Sequence, residues 1–391
     1  MPACGTQGAP AEHRVRICIL KETAPDERRV AIVPESVKRL TGKKVEVVIE
    51  SRAGAAASFS DAEYEAAGAT VAPTAQEAIE GAAVVFKVQP VTDAEVALLP
   101  RGVTVVSLMF PLTRRAAVEA AAKAGLSIVS LDAVPRTTLA QMMDVLSSQA
   151  SLAGYRGVVL AAEAVPKLFP MMMTAAGTLA ASRVLVLGAG VAGLQAIATA
   201  RRLGANVEAF DVRKVVKEQV ESLGARFIEV PGSDDAQTAG GYAKEISPEH
   251  QQRQAMVLRE HLARADACIT TALIPGKKAP TLLTADMVSA MRAGSVIVDL
   301  AADQGGNCEL TKAGERVVMN GVTIIGEANM PAHVAVHASL SWSRNMEKLL
   351  AHLAGKELSA LKLDGGDEIT AAIVTVRDGH IVDPRLKEAA G

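Results

Sequence analysis

The chain has 391 residues, enough for two domains with separate cores. Its 41 Lys+Arg stand against 43 Asp+Glu, which leaves no basic field for a nucleic-acid backbone. Aromatic residues make up 3% and apolar residues 49%, so the cores must be filled by Ala, Val, Leu, Ile and Met, the usage of buried parallel strands.

The N-terminal "MPACGTQGAPAEHR" lacks the apolar centre of a signal peptide, and no run of about 18 residues escapes polar interruption. A cytoplasmic chain with no direct membrane insertion is expected. "VRICIL" (15–20) reads as a strand, "PESVKRL" (34–40) as a helix opened by Pro, and "KVEVVIE" (44–50) as a second strand. "AAVVFKV" (82–88), "VTVVSLM" (103–109) and "LSIVSLD" (126–132) continue the strands, with "TRRAAVEAAAKAG" as an intervening helix. Alternation of this kind predicts a parallel, doubly wound sheet without a glycine-rich phosphate turn.

From Met142 to Phe169 the period becomes helical, with Asp144 at the N-cap. Met171–Met173 and Gly177-Thr178 then suggest a short hairpin; three consecutive methionines cannot all face one core, so some face a partner surface. "ADACITTAL" (265–273), "AGSVIVDLA" (293–301) and "GVTIIGE" (321–327) read as further parallel strands. "HASLSWSRNMEKLLAHLA" (337–354) is helical, and Asp378-Gly379 supplies a hairpin turn in "VRDGHIV" (376–382). The expected class is α/β: two Rossmann-like doubly wound parallel-sheet domains joined by long helices, one over 1–143 completed by 337–391, the other over 144–336.

Within the second domain, Gly188, Gly190 and Gly193 form G-x-G-x-x-G between the apolar strand "RVLVL" and a helical run, and Asp211 ends the next strand about 20 residues on. Gly188 permits the tight turn, Gly190 the approach of backbone amides to a pyrophosphate, and Gly193 the close packing of helix on strand. The helix N-terminus favours the phosphate charge. Asp211 would accept hydrogen bonds from ribose hydroxyls and repel a 2′-phosphate, so NAD(H) is favoured over NADP(H); Arg213 lies near enough to blunt that repulsion. The candidate nucleotide-binding residues are Gly188, Gly190, Val191, Ala192, Gly193, Asp211, Val212, Arg213, Ala272 and Leu273.

No histidine stands out as a general acid or base. His333 and His337 are four apart but lack a third ligand, and the four cysteines, Cys4, Cys18, Cys268 and Cys308, show no metal spacing, so no metal site is expected. In "PRTTLAQMMDVLSSQASLAGYRGV" (135–158), Arg136, Gln141 and Asp144 are spaced to present a cation, an amide and a carboxylate from a loop entering a helix. A capped helix with a solvated charge pair is the plainer account of that spacing, and it leaves the accompanying apolar, glycine-containing run unexplained.

That block, with "KETAPDERRVAIVPE", "MTAAGT", "GAGVAGLQAIATA", "KEQVESLGA", "GGYAKE", "TTALIPGK", "GSVIVDLA" and "GGNC", resembles the NAD(H)-binding component of proton-translocating nicotinamide nucleotide transhydrogenase over nearly the whole chain. The resemblance implies an Arg136-Gln141-Asp144 loop over the nicotinamide, Gln141 bridging to the ribose of NADP(H) on a partner, and Ser147 contacting the nicotinamide carboxamide. It implies a loop closing over the nucleotide with Tyr242 near its tip, and a hairpin over 171–182 reaching across a homodimer. Hydride then passes directly between NAD(H) here and NADP(H) on a partner β subunit, while a membrane-embedded α2 partner and that subunit translocate the proton. The chain would sit peripherally on the cytoplasmic face of the inner membrane.

Alanine dehydrogenase is the alternative, since it shares the two-domain pattern. Arg29 and Lys87 match its pyruvate-binding positions, and Asp303-Gln304 resembles its version of that segment, but its catalytic His falls near Phe110. A noncatalytic NAD-sensing protein is compatible with the glycine turn but leaves the Arg-Gln-Asp block without a purpose.

Overall fold

Runs of β-branched residues that lie buried on both faces form the strands of two separate sheets in the computed structural model, which describes residues 15–231, 248–274, 276–355, 358 and 360–388. Two units result: one from residues 15–24, 29–144 and the described chain after Ala338, the other from Pro25–Arg28 and the described chain over 145–338.

In the first unit, β1 (Arg16–Ile19), β2 (Glu46–Glu50), β3 (Thr70–Ala72), β4 (Val84–Phe86), β5 (Thr104–Ser107) and β6 (Ser127–Ser130) run parallel in the order β6-β5-β4-β1-β2-β3. Beyond β6 the sheet is extended by the strands Val374–Arg377 and His380–Ile381, the first antiparallel to β6 and the second antiparallel to the first. Asp378 (φ 50°) and Gly379 (φ 76°) make their two-residue turn, the pair of positive φ values that a type I′ hairpin requires. Cys18, Val85, Val105 and Ile128 fill one core face. In the helix Ala335–Ala354, Ser339 Oγ accepts from the Val30 amide at 3.0 Å and Ser343 Oγ from the Val33 amide at 3.1 Å, so serines on a buried helix face satisfy a loop that makes no ladder.

In the second unit, β7 (Met172–Thr174) and β8 (Gly177–Leu179) make the expected hairpin, with Met171 60% and Met173 77% exposed. The remaining strands are β9 (Arg183–Leu187), β10 (Asn206–Phe210), β11 (Arg226–Phe227), β12 (Ala267–Thr270), β13 (Val296–Asp299), β14 (Arg316–Met319) and β15 (Val322–Ile325). They form a sheet in the order β11-β10-β9-β12-β13-β15-β14, parallel except for β14. The antiparallel edge strand β14 adds to the expected parallel sheet: Asn320 (φ 52°) and Gly321 (φ 78°) turn β14 back onto β15, an Asn-Gly signal that periodicity alone does not reveal.

The helix expected over 142–169 is shorter, Val145–Ala164, because Pro166 cannot continue it and residues 138–143 form turns instead. Asp144 stands directly before its first residue. Gly154 lies in its middle, where glycine costs about 1 kcal/mol against alanine. The reason lies across the helix pair: a Cβ there would stand 2.1 Å from the Ala192 carbonyl oxygen of the helix Val191–Arg202.

Gly154→Ala is therefore expected to destabilise the chain by about 1–3 kcal/mol, lowering the melting temperature by several degrees, whereas Gly366→Ala, whose Cβ would meet only Asp364 Oδ1 at 3.5 Å, leaves it nearly unchanged. Burial pushes the Cys18 thiol up to about 12 and raises Cys268 and Cys308 as well. All three should resist alkylation at pH 8 in the native chain and react fully once it is unfolded, as peptide mass mapping would read.

Candidate functional site

Gly188, leaving β9, has φ +102° and places its backbone so that a Cβ would lie 2.4 Å from Thr271 Oγ1. Its amide donates to Phe210 O at 2.8 Å and the Thr271 amide donates to Leu187 O at 2.8 Å, which ties the ends of β9, β10 and β12 together. A Cβ on Gly193 would stand 1.9 Å from Gly188 O. By contrast, one on Gly190 would meet only Arg213 Nη2, at 3.9 Å. The turn thus has space where a ligand must approach and none where helix meets strand.

Gly190 caps the helix Val191–Arg202, and the first intrahelical bond runs from the Leu194 amide to Gly190 O at 2.8 Å. The Val191, Ala192 and Gly193 amides precede that bond and have no acceptor within the helix. They are oriented for an anion at the carboxyl end of the sheet, where β10 and β12 diverge from β9 in chain order.

Asp211 follows β10. Its Oδ2 accepts from the Ala189 amide at 2.7 Å and Arg213 Nη2 at 2.8 Å; its Oδ1 accepts from the Arg213 amide and Arg213 Nε, both at 2.9 Å. The expected acid is present, already held by a bidentate arginine. A pocket of about 510 Å³ opens beside it, lined on its apolar side by Phe210, Val212, Phe227, Ile228 and Val230 and on its polar side by Lys214 and the ion pair Lys217–Glu229. Its volume and apolar walls leave room for a group of purine size, with Asp211 in the lining.

Ala272 and Leu273 follow β12. Asn307, fully buried, donates through Nδ2 to the Ala272 and Pro280 carbonyls, both at 2.8 Å, and accepts from the Ala272 amide at 2.9 Å. Asn307 is in turn fixed by Asp299, also fully buried. The Asp299 carboxylate accepts from Thr270 Oγ1 (2.9 Å), Thr311 Oγ1 (2.6 Å) and the amides of Ala301, Asn307 and Cys308 at 2.8–3.0 Å. The motif "GGNC" is therefore organised around its Asn and a carboxylate eight residues earlier, while Cys308 is a buried thiol.

Arg136, Gln141 and Asp144 lie on one loop of the first unit, Arg136 and Gln141 exposed and Asp144 buried. Leu139 (77% exposed) and Met142 (56%) flank Gln141. The loop closes on itself through the Gln141 amide to Thr137 O at 3.0 Å and the Met143 amide to Ala140 O at 2.8 Å. It is also held by Asn345, whose Nδ2 donates to Met142 O at 2.7 Å, a residue that nothing local in the sequence singles out. Ser147, half-buried, belongs to the first turn of the Val145–Ala164 helix in the second unit. Tyr242 lies outside the described residues.

The remaining candidates are occupied structurally. Lys87 Nζ lies 2.5 Å from Glu95 and 3.6 Å from Glu22, with all three side chains buried. Arg29 stacks on Trp342 with its guanidinium 5.5 Å from the ring centroid. Phe110 has φ +49°, and its amide and that of Met109 donate to Asp132 Oδ1 at 3.0 and 2.9 Å. Asp303 Oδ2 accepts from the Asn329 amide at 2.9 Å. His333 pairs with Glu327, which also binds Arg156, while His337 is exposed; among the described residues no group of three His, Cys, Asp or Glu is placed to hold a metal.

Family models for the alanine dehydrogenase/PNT N-terminal and C-terminal domains match residues 18–153 and 157–384. The first part of the NAD(P) transhydrogenase alpha subunit of Rhodospirillum rubrum is 48% identical over 379 residues, 95% of this chain and 99% of that protein. The crystal structure of transhydrogenase from Sinorhizobium meliloti is 42% identical with a TM-score of 0.82, covering 95% of this chain and 99% of that one. Alanine dehydrogenase of Halomonas elongata is more distant, 29% identical across 96% of this chain and 97% of that protein. The chain belongs to the alanine dehydrogenase/PNT family, and within it to the NAD(P) transhydrogenase subunit alpha group.

Proposed function

We propose that the chain is the NAD(H)-binding subunit of a proton-translocating NAD(P) transhydrogenase, exchanging hydride directly with NADP(H) held on a partner subunit. The observation that carries this reading is the glycine turn: amides aimed at an anion, space at Gly190, none at Gly193, and a purine-sized pocket beside Asp211. The Val191–Gly193 amides would hold the pyrophosphate, Asp211 and Val212 the adenosine, and Ala272 and Leu273 the segment beyond. Bound NADH supplies a hydride at C4 of its nicotinamide ring.

Transfer of that hydride to a second nicotinamide leaves no proton for a side chain to donate or accept. The absence of an imidazole at Phe110 is then in keeping with the chemistry, and what the protein must do is orient the rings and exclude water. Arg136 and Gln141 offer donors from a loop that Asn345 fixes, Asp144 stands directly before the helix Val145–Ala164, and Ser147 lies in that helix's first turn. The exposed Leu139 and Met142 around Gln141 give the partner an apolar rim to dock on.

The exposed methionine hairpin supports a homodimer contact. No helix among the described residues is long and apolar enough to cross a membrane, so proton passage is assigned to membrane-embedded α2 and β partners, with this chain on the cytoplasmic face of the inner membrane.

The deciding assay is hydride transfer from NADPH to an NAD analogue by the purified chain, with and without the separately made NADP(H)-binding domain. Transfer should require both proteins. Reduction of pyruvate with ammonia by NADH, with no transfer in either mixture, would establish the alanine dehydrogenase reading instead. Gln141→Asn should slow transfer by about ten-fold or more while changing NADH affinity by less than about two-fold; equal losses in both would remove Gln141 from the hydride-transfer step.

A further inference from the structure

An acid at the end of the second strand ordinarily excludes a 2′-phosphate by charge and by accepting the ribose hydroxyls. Asp211 is poorly placed to act by charge. Arg213 lies against it bidentately, with side-chain exposures of only 7% for the acid and 16% for the arginine, so the pair presents almost no net charge to a ligand. Lys214 lines the adjoining pocket beside the Lys217–Glu229 ion pair.

What the geometry denies the phosphate is the donor itself. Both guanidinium edges that face Asp211, Nε and Nη2, are engaged, and turning them elsewhere would strip a nearly buried carboxylate of its charged partner. The guanidinium also stands at the mouth of the glycine turn, 3.9 Å from where a Gly190 Cβ would be. It thus lies beside the glycine turn that the proposed function assigns to the nucleotide.

We infer that Arg213 is the specificity-determining residue of the nucleotide site and that Asp211 excludes 2′-phosphorylated adenosine chiefly by locking it. The site is a latent 2′-phosphate site, held in NAD(H) form by an ion pair. This rests on the reading that NAD(H) binds at the glycine turn.

The test is equilibrium binding of NADH, NADPH and 2′,5′-ADP to the full chain and to Asp211→Ala, Asp211→Asn, Arg213→Ala and the double variant Asp211→Ala/Arg213→Ala. With the lock released in either Asp211 variant, affinity for NADPH and 2′,5′-ADP should rise by about ten-fold or more, while affinity for NADH falls. The double variant should lose that gain entirely, and Arg213→Ala alone should show none. If the double variant keeps the gain, Asp211 acts by simple repulsion and the lock is overturned. If no variant alters NADH binding, the nucleotide binds elsewhere, and both the lock and the site assignment fall. Thermal unfolding of each variant separates these outcomes from loss of the fold, with Asp211→Asn as the near-isosteric control.

Discussion

A Cβ on Gly193 would stand 1.9 Å from the Gly188 carbonyl oxygen, and one on Gly154 would stand 2.1 Å from that of Ala192. Both contacts bring backbone to within the radius of a side chain, and both converge on the same turn. Gly193 lets the helix Val191–Arg202 sit directly on β9; Gly154 lets the helix Val145–Ala164 press on its first turn. The amides of Val191, Ala192 and Gly193 are then aimed by backbone packing, with no flexible side chain in between. An anion site built this way loses little entropy on binding, because its donors are already ordered.

Two carboxylates at the carboxyl end of this sheet show how burial assigns different roles to one chemical group. Asp299 is fully buried and saturated by five donors from hydroxyls and backbone amides, which leaves it no capacity to bind a ligand. It fixes Asn307, and Asn307 fixes Ala272. Asp211 accepts from four donors, of which three belong to Arg213. A carboxylate with only backbone and hydroxyl partners is a structural element; one paired bidentately with a guanidinium holds that charged side chain in place at the site.

The turn is legible in the sequence because its requirements are local: positive φ, close approach and an acid at a fixed spacing can each be met by few residue types. Most strands are legible because parallel strands buried on both faces read as continuous apolar runs. What stays hidden depends on distant partners. Gly154 is explained by a residue 38 positions away, Asn345 by a loop about 200 positions earlier, and Asp299 by a segment in which the cysteine is more conspicuous than the asparagine that matters. Strand β3 has three residues and so no usable period, while β14 is announced by Asn320-Gly321, a turn signal that apolar patterning does not weigh. The helix end at Ala164 is set by Pro166, against an apolar period that runs on past it.

A shared fold leaves the chemistry open, and the first unit shows how the choice is made. Arg29 and Lys87 keep the residue types that suit a small carboxylate substrate, yet Lys87 sits between two buried glutamates and Arg29 lies on the face of Trp342. To recruit Lys87, a substrate would have to compete with charges already desolvated and paired, and separating such a pair is far costlier than leaving it closed. At Phe110, moreover, the left-handed backbone is stabilised by Asp132 and the side chain carries no proton to give. Phe110 itself has no ionisable group with which to protonate or deprotonate a substrate. A reaction that needs only two rings held together, with water kept out, makes no demand on these residues beyond the stability of the unit that carries the Gln141 loop.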